Sequence, residues 1–240
     1  MEPITAIFDR MDSWRHLPDY QLERRADLFF ALYLTEALES KLGFAFRPEV
    51  VPEFPIRKGT IYPDTGNNQS VKVDYVALSA EADKAVLVEL KTDSSSRRAE
   101  QDEYLAAARG VGMRPLLEGV LEIFRATKSK RKYFCLLQYL EGMGLLRVPQ
   151  QMKDAMARPN PRGVKEASRR IEITANVTEC LLVYVQPTGM GSDVISFQEF
   201  ASIVRTHEDL TSQRFAESLL RWAAVRAGTG VSWQPGPGVH

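Results

Sequence analysis

Several things are scarce in this chain, and each scarcity removes a class of explanation. Cysteine occurs only at Cys135 and Cys180, too few for a disulfide framework or a structural zinc site. Each lies inside an apolar run, which predicts two buried free thiols. Histidine is confined to positions 16, 207 and 240, scattered enough that none is assigned a catalytic role. No stretch approaches the roughly 18 consecutive apolar residues of a membrane span. The start, Met1-Glu2-Pro3-Ile4-Thr5, lacks a basic region leading into an apolar segment. The expectation is a cytoplasmic protein with no membrane partner. Excess charge of one sign is missing too, with 31 basic against 31 acidic residues. Affinity for nucleic acid through bulk basicity is thereby excluded, although a local basic groove is not.

What is present fits one globular α/β domain over residues 1–227, followed by a flexible tail at 228–240 with glycines and prolines. The 44% apolar content is enough for a full core. The most informative segment is Val71-Lys72-Val73-Asp74-Tyr75-Val76-Ala77-Leu78, a polar link, then Ala85-Val86-Leu87-Val88-Glu89-Leu90-Lys91. Both apolar runs read as strands, the second of the kind buried on both faces. Side chains alternate along a strand, so Glu89 and Lys91 share a face. A neighbouring strand placing Asp74 beside them brings two carboxylates and an ammonium to one spot. Such carboxylates repel unless something positive sits between them, and a divalent metal is the usual answer. Hard oxygen ligands with open water positions favour Mg2+ or Mn2+ over zinc. Isolated Glu-x-Lys pairs are commonly solvated strand ends; here both acids are embedded in apolar runs, where charge is costly unless paired or metal-bound.

The surrounding elements follow from composition and spacing. Tyr20 to Leu42 predicts a long helix, free of internal Gly and Pro, closed by Gly43, and apolar around enough of its circumference to pack on more than one side. Phe44 to Ile56 predicts a strand whose prolines place it at a sheet edge, and Arg57 to Ser70 a loop. Ser94-Ser95-Ser96 can start a helix carrying Gln101, Tyr104 and Leu105. Leu116–Phe124, Tyr133–Leu146 and Gln150–Ala157 read as helical, which makes residues 111–170 a helical insertion before the last core strand at Glu179–Gln186. Helices near Phe197–Thr206 and Ser212–Ala227 complete the chain.

The Asp74, Glu89, Lys91 constellation in this helix–strand–strand–strand–helix order resembles the PD-(D/E)XK nuclease superfamily. The proline that precedes the aspartate in that signature is replaced here by Val73. The resemblance implies a restriction-endonuclease-like core, a mixed sheet flanked by helices, and metal-dependent hydrolysis of phosphodiester bonds, with DNA the expected substrate, in repair, restriction or defence. It implies Asp74 and Glu89 as metal ligands, helped by the Leu90 carbonyl, and Lys91 as the group that positions water or stabilises the transition state. On the following helix, Gln101 and Tyr104 are similar to a glutamine–tyrosine pair of the RecB-type and λ-exonuclease branch, one residue closer together than in that pattern. A surface glutamine and a core tyrosine are the competing reading. The first helix often supplies a further acid in this superfamily; Glu23 is favoured over Asp27 and Glu36. Arg97 and Arg98, just beyond the motif, are candidates for nucleic-acid contact, as are Lys128, Lys130, Arg131 and Lys132. The alternative is a catalytically silent binding or assembly module on the same fold. Oligomeric state stays open.

Overall fold

The computed structural model describes residues 2–63, 68–93, 97–161 and 163–224. Five strands form one mixed sheet in the order β1 (Phe46–Arg57), β2 (Ser70–Ser79), β3 (Lys84–Leu90), β6 (Glu179–Gln186), β7 (Val194–Ser196). β1, β2 and β3 run antiparallel in turn; β3–β6 and β6–β7 are parallel. β3 is therefore central, and Ala85, Val86, Leu87 and Val88 are all fully buried, as a strand covered on both faces requires. β1 carries Pro48, Pro52 and Pro55 and lies at the edge, where a missing N–H costs no ladder bond. The sequence offered no signal for β7, which is only three residues long.

Helices cover both faces. α1 (Pro3–Trp14), α2 (Leu22–Leu42), α9 (Phe197–Val204) and α10 (Leu210–Ala224) pack one side in a core rich in phenylalanine, with Phe30, Phe200 and Phe215 in mutual ring contact. α4 (Ala99–Val111), α5 (Met113–Ala126), α6 (Lys130–Gly142), α7 (Gln150–Ala157) and α8 (Val164–Ser168) cover the other, around Leu105, Val120, Phe124 and Leu137. A four-residue helix, α3 (Lys58–Ile61), interrupts the expected loop after β1, of which residues 64–67 fall outside the described part.

α2 ends where expected, at Gly43 with φ +76°, whose N–H bonds the carbonyl of Glu39; a left-handed residue there suits glycine. Leu22, Ala26, Phe30, Tyr33, Leu34, Ala37 and Leu38 are buried on it, and Phe29 meets the Phe8 ring of α1 at 4.7 Å, so α2 packs against α1, β1 and α9. Leu28, 75% exposed, and Leu32, 62% exposed, point to solvent on the remaining side.

Between α4 and β6 the chain is mostly helical but also holds a two-stranded ribbon, β4 (Leu146–Arg147) with β5 (Glu172–Ile173). The helix expected over Tyr133–Leu146 stops at Gly142: Gly144 takes a positive φ of +76°, and Leu146 pairs with Ile173. The two thiols are free, but Cys135 is exposed on α6 and Cys180 only partly covered; an apolar sequence neighbourhood did not fix which way either faces. The proposed helix start at Ser94–Ser96, the end of the last helix at 225–227 and the tail at 228–240 lie outside the described residues. No helix among those described is long and apolar enough to cross a membrane.

Candidate active site

The β2–β3 ladder ends at Tyr75–Val88. One step further, Asp74 faces Glu89, so the two side chains project from the same face at the point where backbone pairing stops. Leu90 N–H, which continues toward β2, donates instead to Asp74 Oδ2 at 2.7 Å. A strand residue's N–H and C=O point the same way, so the Leu90 carbonyl turns toward the same gap.

Lys91 reaches back along β3, and its Nζ donates to Glu89 Oε1 at 2.6 Å. The side chains of Lys91 and Glu89 are only 7% and 2% exposed. Gln101 from α4 donates its amide to the same Oε1. The other oxygen, Glu89 Oε2, is buried with no hydrogen-bond partner among the described residues. Burial raises the pKa of both carboxyls, and the charge of Asp74 lifts Glu89 further, with Lys91 pulling both back. The two groups lie close enough to share a proton when one is neutral. As two carboxylates they have no donor between them, which is why Oε2 is orphaned.

Glu23 on α2 completes the acid cluster. Burial, and next the negative charge of Asp74, push its pKa up to about 7. Asp27 lines the same cleft one turn on, but its side chain caps the backbone N–H of Leu28, while its carbonyl accepts from Tyr75 Oη at 2.8 Å. Glu36 is elsewhere, paired with His207 at 2.9 Å. The cleft, of about 460 Å³, opens between α2 and α4 and is walled by Glu23, Arg24, Glu53, Lys72, Asp74 and Tyr104.

Glu53 escaped the sequence reading. The β1–β2 register, Pro52 with Tyr75 and Phe54 with Val73, sets Glu53 opposite Asp74, and its φ of +51° is left-handed, unusual for a residue with a Cβ. It forms an ion pair with Lys72 at the cleft rim. Only the register could have revealed this, because 21 positions and a loop separate the two acids in the chain. Tyr184, the parallel partner of Glu89 on β6, was also missed.

The basic candidates divide. Arg97 lies over the Tyr184 ring at 4.0 Å and donates Nε to Asp102 at 2.8 Å, while Tyr184 Oη donates to the same carboxylate at 2.9 Å. This triangle beside Glu89 fixes the Nε edge of Arg97, whose side chain stays 36% exposed. Arg98 is exposed at the N-cap of α4. In the second cluster, Lys130 donates to the carbonyls of Phe124 and Arg125, and Arg131 to those of Arg158 and Pro159. Lys128 and Lys132 remain exposed.

The donor set suits a hard, water-rich cation. An orphaned buried carboxylate oxygen beside a second carboxyl is the environment that a divalent ion satisfies. Among the described residues, no three His, Cys, Asp or Glu side chains converge as a ready-made cage. Asp74, Glu89 and the Leu90 carbonyl would therefore leave most positions to water and substrate oxygens, as magnesium sites commonly do. Comparison with protein-family models, curated proteins and solved structures finds no match for this chain.

Proposed function

We propose that the chain is a metal-dependent nuclease with a restriction-endonuclease-like core, hydrolysing phosphodiester bonds of nucleic acid, with DNA the expected substrate. The observation that carries this reading is Glu89: a buried carboxylate set across from Asp74, with one oxygen held by Lys91 and Gln101 and the other unpartnered. Mg2+ or Mn2+ held by Asp74 and Glu89 would supply positive charge at the phosphate and acidify a water. Lys91 orients Glu89 and holds a compact cation beside the place where charge develops on the phosphate. Gln101 fixes the Glu89 rotamer. Glu23, with a pKa near neutrality, can take up or return a proton at working pH.

Two observations favour the silent-module alternative: the described acids form no three-ligand cage, and Lys91 already pairs with Glu89 through Oε1. Two measurements decide. Melting curves in EDTA, Mn2+ and Ca2+ should show a metal-induced rise in midpoint, because an ion bound only by the folded site stabilises it by mass action. Cleavage should then appear on a panel of linear, nicked, branched and single-stranded DNA and RNA. No metal shift and no cleavage on that panel would remove the nuclease reading.

A further inference from the structure

The α1–α2 corner borders the acid cluster and has features the nuclease reading leaves unused. A second cleft, of about 350 Å³, runs alongside the first and shares Glu23 and Arg24 with it. Its other walls include Arg15 at the end of α1, Tyr20 just before α2, and Thr92, which directly follows Lys91. It is therefore contiguous with the carboxylate site along the chain and in space.

Two features here point to a ligand. Arg15 is partly buried, with the charges of Asp93 and Asp12 acting on it, and its Nη1 is buried without a hydrogen-bond partner among the described residues. It lies over the Trp222 ring at 5.9 Å. A buried guanidinium N–H left unmet is costly unless an acceptor arrives. Arg24 stands exposed on the ridge between the clefts. The second feature is aromatic: Trp14 is 45% exposed at the end of α1 and meets Tyr20 edge-on at 6.1 Å. Exposed tryptophan beside arginines is the composition of single-strand binding surfaces, where rings stack bases and cations follow the backbone. Asp93 also lines the cleft and Glu23 closes one side, so the local charge is close to balanced. Stacking, more than charge, has to carry such binding.

We infer that the corner formed by Trp14, Arg15, Tyr20 and Arg24 is a binding track for an unpaired nucleic-acid segment, delivering the strand to the carboxylate site from the α2 side. This rests on the nuclease reading for the position of the cut, and it names the substrate class: nucleic acid with a single-stranded stretch next to the scissile bond.

The test uses the full chain with Ca2+ in place of Mg2+ and a short fluorescein-labelled oligothymidylate, read by anisotropy beside a blunt duplex of the same length. The parent should prefer the single strand. Trp14→Ala, which removes a stacking ring, and Arg24→Ala, which removes a backbone cation, should each weaken it about fivefold or more, without moving the melting midpoint. Arg24→Lys should recover part of the loss. With two arginines engaged, log K against log salt should fall with a slope of only about −1.4, near 0.7 per phosphate. Equal affinity for duplex and single strand, or variants that bind like the parent, would overturn the inference. Failure here with cleavage intact leaves the nuclease reading standing. Single-strand binding that depends on Trp14 and Arg24, in a protein that cuts nothing, keeps the track and removes the nuclease.

Discussion

Lys91 Nζ and Glu89 Oε1 lie 2.6 Å apart with both side chains almost wholly removed from water. Buried ion pairs of this kind gain little net stability, because desolvating two charges consumes most of their attraction. The pair also leaves its second carboxylate oxygen unmet and facing an acid on the next strand. A fold optimised for stability would place leucine and valine here, as the same strand does at Leu87 and Val88. The unfavourable arrangement is the physical reason for assigning chemistry to this end of the sheet.

The first prediction concerns metal and pH together. Burial raises both Asp74 and Glu89, so a cation must displace protons to bind. The metal-induced rise in melting midpoint should therefore be small at pH 6 and large at pH 8.5. At a free metal concentration a hundred times Kd, stabilisation of about 2.7 kcal/mol corresponds to roughly 5–10 °C for a chain of this size. Glu89→Gln should abolish the shift while melting no lower than the parent in EDTA, since it removes charge repulsion and keeps an acceptor for Lys91. A pH-independent shift, or one that survives in Glu89→Gln, would place the metal elsewhere.

Asp74, Glu89 and Lys91 could be read in sequence because their placement depends on two local rules, strand alternation and antiparallel pairing of neighbouring strands. Gln101 entered through the resemblance to a glutamine–tyrosine pair on the helix after the motif, with a surface glutamine as the competing reading; its bond to Glu89 depends on how α4 docks against β3. What stayed hidden depends on contacts distant in the chain. Glu53 meets Asp74 only through the β1–β2 register. Arg97 read as free charge, and its commitment to Tyr184 and Asp102 needed β6, which lies more than eighty residues on. The exposed leucines of α2 show the same limit: composition reported how apolar the helix is, and only its neighbours decided which stripe is covered.

Glu23 gives a prediction with a definite sign. Its folded pKa is about 7 against an ordinary 4.5. Between those values the folded protein holds a proton that the unfolded chain has released, so stability falls as pH rises through this window and stays lowered above it. Glutamine cannot ionise. Glu23→Gln should match the parent below pH 4.5 and exceed it above pH 7, by at most roughly 3.5 kcal/mol at about 1.4 kcal/mol per unit, and by less because Glu23 is partly exposed to screening solvent. Urea midpoints at low and high pH in EDTA measure this. A variant weaker than the parent at pH 8 would mean that Glu23 is held in its charged form.

Lys91→Met tests the coupling directly. Removing the ammonium leaves Glu89 buried and uncompensated, a change that costs about 3–5 kcal/mol where the remaining charge cannot escape. Here Glu89 can neutralise itself by protonation, so the cost should be large at pH 8.5 and shrink toward pH 5. The double variant Lys91→Met, Glu89→Gln should recover most of the loss at pH 8.5, giving an interaction energy of the single changes that is itself pH-dependent. All variants at Lys91 should lose cleavage whether or not stability is restored. Additive effects with no pH dependence would show that the two groups do not share a buried site.

Gly119 on α5 sets helix propensity against packing. An interior helical glycine costs about 1 kcal/mol relative to alanine, so Gly119→Ala would be expected to stabilise an isolated helix. In the fold, a Cβ at this position would come within 2.6 Å of Thr60 Oγ1 and 3.1 Å of Arg57 Cβ. α5 packs there against the corner where β1 passes into α3. Overpacking of this kind costs roughly 1–3 kcal/mol, enough to outweigh the propensity gain, so the single variant should be less stable by about 0.5–2 kcal/mol. Thr60→Ala in the same chain removes the closest atom and leaves the nearest approach at 3.1 Å. The double variant should therefore return to parental stability or pass it. Because this contact lies behind β1 and outside the acid cluster, metal-induced stabilisation should be the same in the parent and in both variants when measured below their melting ranges. If Gly119→Ala alone stabilises the protein, α5 sits further from the β1–α3 corner than described.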